Sequence, residues 1–171
     1  MNIVLVGMMG SGKTTVGKPL ARKLKMRFTD ADAEIVRTAG MSIAEIFQTR
    51  GEAYFRKLEQ KTLRRICGKS RQVIAAGGGA ACFEQNWKSF RKKKSLVVWL
   101  KTTPAELYRR LKKPGQIVRP LLKKEELSLT AIQSILNKRE RYYRRADLLL
   151  EKGTAAKTAK MIALYIDQFI P

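Results

Sequence analysis

One eight-residue stretch restricts this chain more than any other. Gly7-Met8-Met9-Gly10-Ser11-Gly12-Lys13-Thr14 fits the pattern G-x-x-x-x-G-K-[ST]. It follows a β-branched apolar run, Asn2 to Val6, and opens a segment with Val16, Leu20, Ala21 and Leu24 at helical spacing. A strand, a glycine turn and a helix in that order bring several backbone N–H groups and the positive end of a helix to one point. Glycines are needed because bulky side chains would block phosphate oxygens from that point. The stretch therefore reads as a cradle for ATP built from Gly10, Ser11, Gly12 and Lys13. Lys13 reaches the β- and γ-phosphates, the Thr14 hydroxyl ligates Mg²⁺, and Thr15 is placed to touch the α-phosphate.

The rest of the chain alternates strands and helices. Strand patterns cover 2–6, 26–29, 72–76, 96–100 and 147–150. Helical patterns cover 13–25, 32–39, a long region from 43 to about 66 that pauses near Gly51, 104–112, 130–145 and 155–169. Pro19 is expected to kink the first helix. Ser42 with Glu45 three residues on has the spacing of a capping box. Such alternation implies an α/β fold with a parallel sheet covered on both faces. With 171 residues and no repeat or linker, 1–171 reads as one domain. The segment 113–126 differs in texture: it is basic and broken by Pro114, Gly115 and Pro120. Its length suits a functional loop, here a lid.

Composition removes several classes of function. There is no histidine, which excludes a Ser-His-Asp triad and the usual histidine zinc sites. Cys67 and Cys82 form no metal-ligand pattern and read as reduced thiols. Met1 to Gly10 lacks a basic leader region, and Leu96 to Leu100 is far shorter than the ~20 residues of a membrane span. The expected location is the cytoplasm, with no membrane partner. Lys and Arg number 36 against 14 acidic residues, a formal net charge of +22. That field is either a solvated basic surface or a means of drawing in anions. The cluster Lys88, Arg91-Lys92-Lys93-Lys94 raises a nucleic-acid reading, but no stacking platform accompanies it, and no specific nucleic acid is expected.

Several residues outside the phosphate cradle suggest a phosphate acceptor. Asp30 and Asp32 end the second strand, the edge that faces the ligand crevice in an open α/β sheet. Asp30 suits Mg²⁺, and Asp32 suits an acceptor hydroxyl whose proton it would take; either could instead cap the next helix. Arg56 and Glu59 lie one turn apart, as a surface ion pair or as an arginine aimed at a substrate carboxylate. Gly77-Gly78-Gly79 follows a strand directly and suits backbone lying against a ligand, or a bare turn. Arg119 sits in the lid segment, where it could close over the γ-phosphate.

Taken together, Asp30-Ala31-Asp32, Phe55-Arg56 with Glu59, Gly77-Gly78-Gly79, Arg119-Pro120-Leu121-Leu122 and Lys138-Arg139 with Tyr143 resemble the shikimate kinase family, from Asn2 to about Leu150. The resemblance implies a three-layer P-loop fold with a five-stranded parallel sheet in the order 2-3-1-4-5, a substrate-binding helical region at about 32–62, and a lid. It implies transfer of the ATP γ-phosphate to the 3-hydroxyl of shikimate, with Mg²⁺, by a monomer. By the same resemblance, Asp32 orients the acceptor, Arg56 and Arg139 hold its carboxylate, and Glu59 aims Arg56. Gly77, Gly78 and Gly79 meet a hydroxyl, while Phe47 and Phe55 line the ring. Arg119 is the lid arginine, and Arg110 stacks near adenine. The chain departs from the family pattern at Val73-Ile74-Ala75-Ala76, which is smaller than expected, and in the extra Lys and Pro residues of the lid. A gluconate-type kinase shares the cradle and sheet but not the triple glycine or the Arg119-Pro120 pair.

Overall fold

The computed structural model describes residues 1–113, 127–151 and 153–169. Among these, the strands are β1 (Ile3–Val6), β2 (Arg27–Asp30), β3 (Gln72–Ala75), β4 (Leu96–Leu100) and β5 (Leu148–Leu150). The helices are α1 (Lys13–Lys23), α2 (Ala31–Ala39), α3 (Ile43–Cys67), α4 (Glu84–Phe90), α5 (Pro104–Leu111), α6 (Leu129–Tyr143) and α7 (Ala155–Phe169). All neighbouring strands pair in parallel, in the expected order β2-β3-β1-β4-β5.

Strand side chains alternate between faces, so a strand covered on both sides must be apolar throughout. The runs Ile3–Val6 and Leu96–Leu100 satisfy this and are fully buried. Ile3, Leu5, Val73 and Val98 pack against Val16 and Leu20 of α1 and Ala159 and Ile162 of α7. Val4, Val6, Ile74 and Trp99 pack the other way, against Leu63 and Ile66 of α3, Trp87 of α4 and Tyr143 of α6. Burial of each such large side chain contributes about 1.5–3 kcal/mol.

This winding decides where a ligand can sit. From β1 the chain goes through α1 to β2, returns to β3 beside β1, and then crosses to β4 on the other side of β1. Strand order reverses at β1, and the crevice beyond the carboxyl ends of the strands opens there. Gly7 to Gly12 occupy that edge.

The local signals act as the sequence suggests. The Ser42 hydroxyl accepts from Glu45 N at 3.2 Å, and Ser42 N donates to the Glu45 carboxylate at 2.6 Å, closing the capping box of α3. Within α3 the backbone breaks at Gly51, with φ 76° and ψ 172°. α1 runs as one helix from Lys13 to Lys23 with Pro19 inside it. The junction of the second strand and second helix differs: β2 reaches Asp30, and α2 starts at Ala31 because Asp30 caps it. α4 has no counterpart in the sequence reading, since seven residues without a side-chain cap carry little periodic signal. Residues 114–126, with Arg119 and nearly all of the expected lid, lie outside the described residues.

Both cysteines are free, and burial pushes the Cys67 thiol up to about 12, so it packs as an apolar group. Among the described residues, no helix is long and apolar enough to cross a membrane.

The region from α2 to α3 is tied together by Glu34. Its carboxylate accepts from Arg37 at 3.0 Å and from Arg65 at 2.7 Å. These two hydrogen bonds pull the Glu34 carboxyl from its ordinary 4.5 to about 2. A carboxyl lowered in the folded state stabilises fully above its unfolded value and loses that contribution as pH falls through the folded value. Glu34→Gln is therefore expected to lower the urea midpoint equally at pH 7 and pH 5. The deficit should shrink at pH 4 and again at pH 3, as followed by circular dichroism.

Candidate active site

The phosphate loop takes its shape from backbone that needs glycine. Gly10 and Gly12 sit at φ 78° and 91°, the left-handed region that residues with a Cβ rarely adopt. Ser11 N bonds back to Met8 O at 3.1 Å, closing the loop. Lys13 Nζ donates to the carbonyls of Gly7 and Met8, each at 2.8 Å, so the ammonium lies inside the curve of the loop. From outside, Arg110 donates to Gly10 O at 2.9 Å and to Glu106 at 2.8 Å.

Asp30 ends β2, where the sequence reading puts it, and Asp32 lies two residues on, in the first turn of α2. Asp30 serves two purposes at once. Its Oδ2 accepts from the Thr14 hydroxyl at 2.7 Å, while Oδ1 caps α2 by accepting from Asp32 N at 3.1 Å and Ala33 N at 3.4 Å. Thus the capping role and a place beside the cradle belong to one side chain. Lys13, Thr14, Thr15, Asp30 and Asp32 line a common cleft of about 560 Å³. Lys101, Thr102, Glu151 and Gly153 to Ala155 also line that cleft; they carry no motif and were not singled out from the sequence.

A second group of residues gathers around the triple glycine. A Cβ on Gly79 would lie 3.3 Å from Arg56 Nη2 and 3.6 Å from Arg139 Nη2, so both guanidinium groups meet there. Arg139 also donates to Gly78 O at 3.3 Å. Arg56 Nη1 donates to Glu59 at 2.9 Å, and Nε and Nη2 donate to Glu52 Oε1 at 3.1 and 3.0 Å. Glu59 is buried, and burial pushes its carboxyl up against the pull of Arg56 and Arg139. Its Oε1 has no hydrogen-bond partner among the described residues. The Phe47 and Phe55 rings are tilted at 40° with centroids 4.7 Å apart, and Phe55 is buried against Ile35 and Ile46.

Gly78 joins the two groups. A Cβ there would come within 2.9 Å of Met9 N, in the phosphate loop. Its carbonyl accepts from the buried Tyr143 hydroxyl at 2.5 Å, and the Tyr143 ring stacks on Trp99 of β4. The middle glycine is thus required by loop-against-loop packing, a constraint that no pattern in the sequence announces.

The shikimate kinase family profile matches residues 9–170. The chain belongs to the shikimate kinase family. It is 45% identical over 147 residues to the shikimate kinase of Parasynechococcus marenigrum (strain WH8102), covering 86% of this chain and 75% of that one. It is 42% identical over 169 residues to the shikimate kinase of Geobacter sulfurreducens, covering 99% and 90%. A solved structure of the shikimate kinase of Acinetobacter baumannii in complex with shikimate superposes with a TM-score of 0.90 at 35% identity, covering 99% of this chain and 95% of that one.

As a member of the shikimate kinase family, the chain is an ATP-dependent kinase of shikimate in aromatic biosynthesis. Of the residues singled out from the sequence, Gly10 to Thr15, Asp30 and Asp32 lie together in the cleft. Gly78, Gly79, Arg56, Glu59, Phe47, Phe55 and Arg139 lie together beside it. Gly77 accepts from Ala80 N at 3.0 Å at the start of that turn. Arg119 lies outside the described residues. Replacing Gly78 with Ala forces either the triple-glycine turn or the phosphate loop to move. Overpacking of this kind costs about 1–3 kcal/mol. Gly78→Ala should lower the thermal midpoint by several degrees and weaken ATP binding as well, measured by scanning and titration calorimetry.

Proposed function

We propose that ATP lies in the cleft with its phosphates on Gly10 to Thr15, and that shikimate lies beside it across Gly78 and Gly79. The observation that carries this reading is the meeting of Arg56 and Arg139 at Gly79, next to the phosphate loop. Two guanidinium groups converging on the backbone at Gly79 suit a small carboxylate, which arginine grips with a planar fork. Phe47 and Phe55 would offer an apolar wall for the ring. Asp32 and the backbone of Gly77 to Gly79 would take the hydroxyls. Shikimate carries one carboxylate and three hydroxyls, and this set of groups matches them.

Phosphoryl transfer then needs positioning more than covalent chemistry. The 3-hydroxyl oxygen of shikimate forms a bond to the γ-phosphorus, and the bond from that phosphorus to the β–γ bridging oxygen breaks. The hydroxyl proton passes to the Asp32 carboxylate, and ADP leaves. Lys13 exchanges the carbonyls of Gly7 and Met8 for the β- and γ-phosphate oxygens and neutralises their charge. Glu59 fixes the rotamer of Arg56, and Arg110, bonded to Gly10, steadies the phosphate loop on the nucleotide side. Arg119 is assigned the lid position over the γ-phosphate.

Thr14 and Asp30 are the residues that would hold Mg²⁺. Their oxygens stand 2.7 Å apart at the mouth of the cradle, and a hydroxyl with a carboxylate is a donor set that suits a hard cation. When bound there, Mg²⁺ supplies positive charge to the phosphates. The reading is of a cytoplasmic monomer acting on a small molecule.

Steady-state kinetics on two variants test the assignment. Asp32→Asn should keep the ATP affinity and lose about 10²–10⁴ in kcat. Arg56→Lys should raise the KM for shikimate about tenfold or more with kcat little changed, because a lysine lacks the fork. A near-native kcat for Asp32→Asn would remove that residue from the acceptor role.

A further inference from the structure

Arg56 is held more completely than the reaction assignment alone requires. Its edges are taken by two carboxylates, Glu52 at Nε and Nη2 and Glu59 at Nη1. Two aromatic rings attend the guanidinium as well. Its central carbon lies 5.1 Å from the centroid of Phe55 and 4.8 Å from that of Phe83. Phe55 is a core residue of the same helix, 1% exposed. Phe83 is different: it comes from the turn beyond the triple glycine, is 36% exposed, and joins none of the apolar clusters among the described residues.

We propose that Phe83 is a positioning residue for substrate recognition, its ring holding the Arg56 guanidinium ready for the acceptor carboxylate. A guanidinium within about 6 Å of an aromatic centroid is attracted to the negative face of the ring. The contact asks for no hydrogen bond, so it takes up none of the guanidinium donors. It also limits the rotamers of a long side chain, which lowers the entropy cost of gripping a ligand.

The place of Phe83 is well defined. The 3-10 turn Ala80–Cys82 before it is fixed by Asn86 Nδ2 donating to Ala80 O at 2.9 Å and by the Trp87 indole donating to Ala81 O at 2.6 Å. Phe83 O accepts from Asn86 N at 3.0 Å as α4 begins. The next residue, Glu84, pairs bidentately with Arg145, at 2.6 and 3.0 Å. Arg145 lies just beyond α6, the helix that carries Arg139. The ring is therefore held in register with both arginines by elements that flank the triple glycine.

The inference rests on Arg56 as the carboxylate grip, and the test separates the two ideas. KM and kcat are measured for both substrates in the wild type, Arg56→Lys, Phe83→Leu and Phe83→Tyr. Leucine keeps apolar bulk and loses the aromatic face; tyrosine keeps the face. Phe83→Leu should raise the KM for shikimate about 3- to 30-fold, with kcat and the KM for ATP within about twofold of wild type, and Phe83→Tyr should restore the wild-type KM. An unchanged KM for shikimate in Phe83→Leu, beside a raised one in Arg56→Lys, would overturn the role of Phe83 and leave the grip intact. An unchanged KM in Arg56→Lys would overturn both. Equal losses for both substrates in Phe83→Leu, or no rescue by tyrosine, would mark Phe83 as structural only and overturn the proposal.

Discussion

Backbone meets backbone where Gly78 lies against Met9. On one side of that contact is the phosphate loop, placed by β1 at the reversal of strand order. On the other is the turn after β3, which meets both guanidinium groups of the acceptor side. A donor phosphate and an acceptor hydroxyl must approach in line and at short range, and a tenth of a nanometre of misplacement costs heavily. Joining the two loops through main chain is a stiff way to hold that separation. The hydrogen bond from Tyr143 to Gly78 O, with Tyr143 stacked on Trp99, extends the stiffness into the sheet.

The charges around this contact are arranged in pairs and not merely in excess. Three cations at the site are steered by local partners: Arg56 by Glu52 and Glu59, Arg110 by Glu106 and Gly10 O, and Lys13 by two carbonyls of its own loop. Exchange of these partners for phosphate or carboxylate oxygens replaces one set of charge-assisted bonds with another, so the site need not leave buried charge unmatched in either state. Buried Glu59 is the sharpest case: desolvation opposes its charge, and the nearby guanidinium groups oppose desolvation.

Much of the architecture could be read from residues alone because its signals are contiguous. The glycine loop, the Ser42–Glu45 box and the break at Gly51 are each written in neighbouring residues, and the structure carries all three. The buried runs of β1 and β4 announce themselves in the same way. What escaped depends on distance. Nothing near Gly78 says that Met9 will lie against it, and nothing near Phe83 says that Arg56 will lie over its ring. The family resemblance implies Arg110 near adenine; its described contacts are with Glu106 and with Gly10 in the phosphate loop. α4 is too short to show a period. Asp30 was open between cap and metal ligand because a sequence cannot show that its two carboxylate oxygens serve different partners.

ADP release from ATP·Mg²⁺ by the purified chain, with shikimate, without it, and with gluconate in its place, tests the central claim most directly. Release that depends on shikimate, and stays at background with gluconate, is the predicted result. ATP binding without any stimulation by shikimate would contradict the account, because the paired arginines at Gly79 would then have no acceptor to hold.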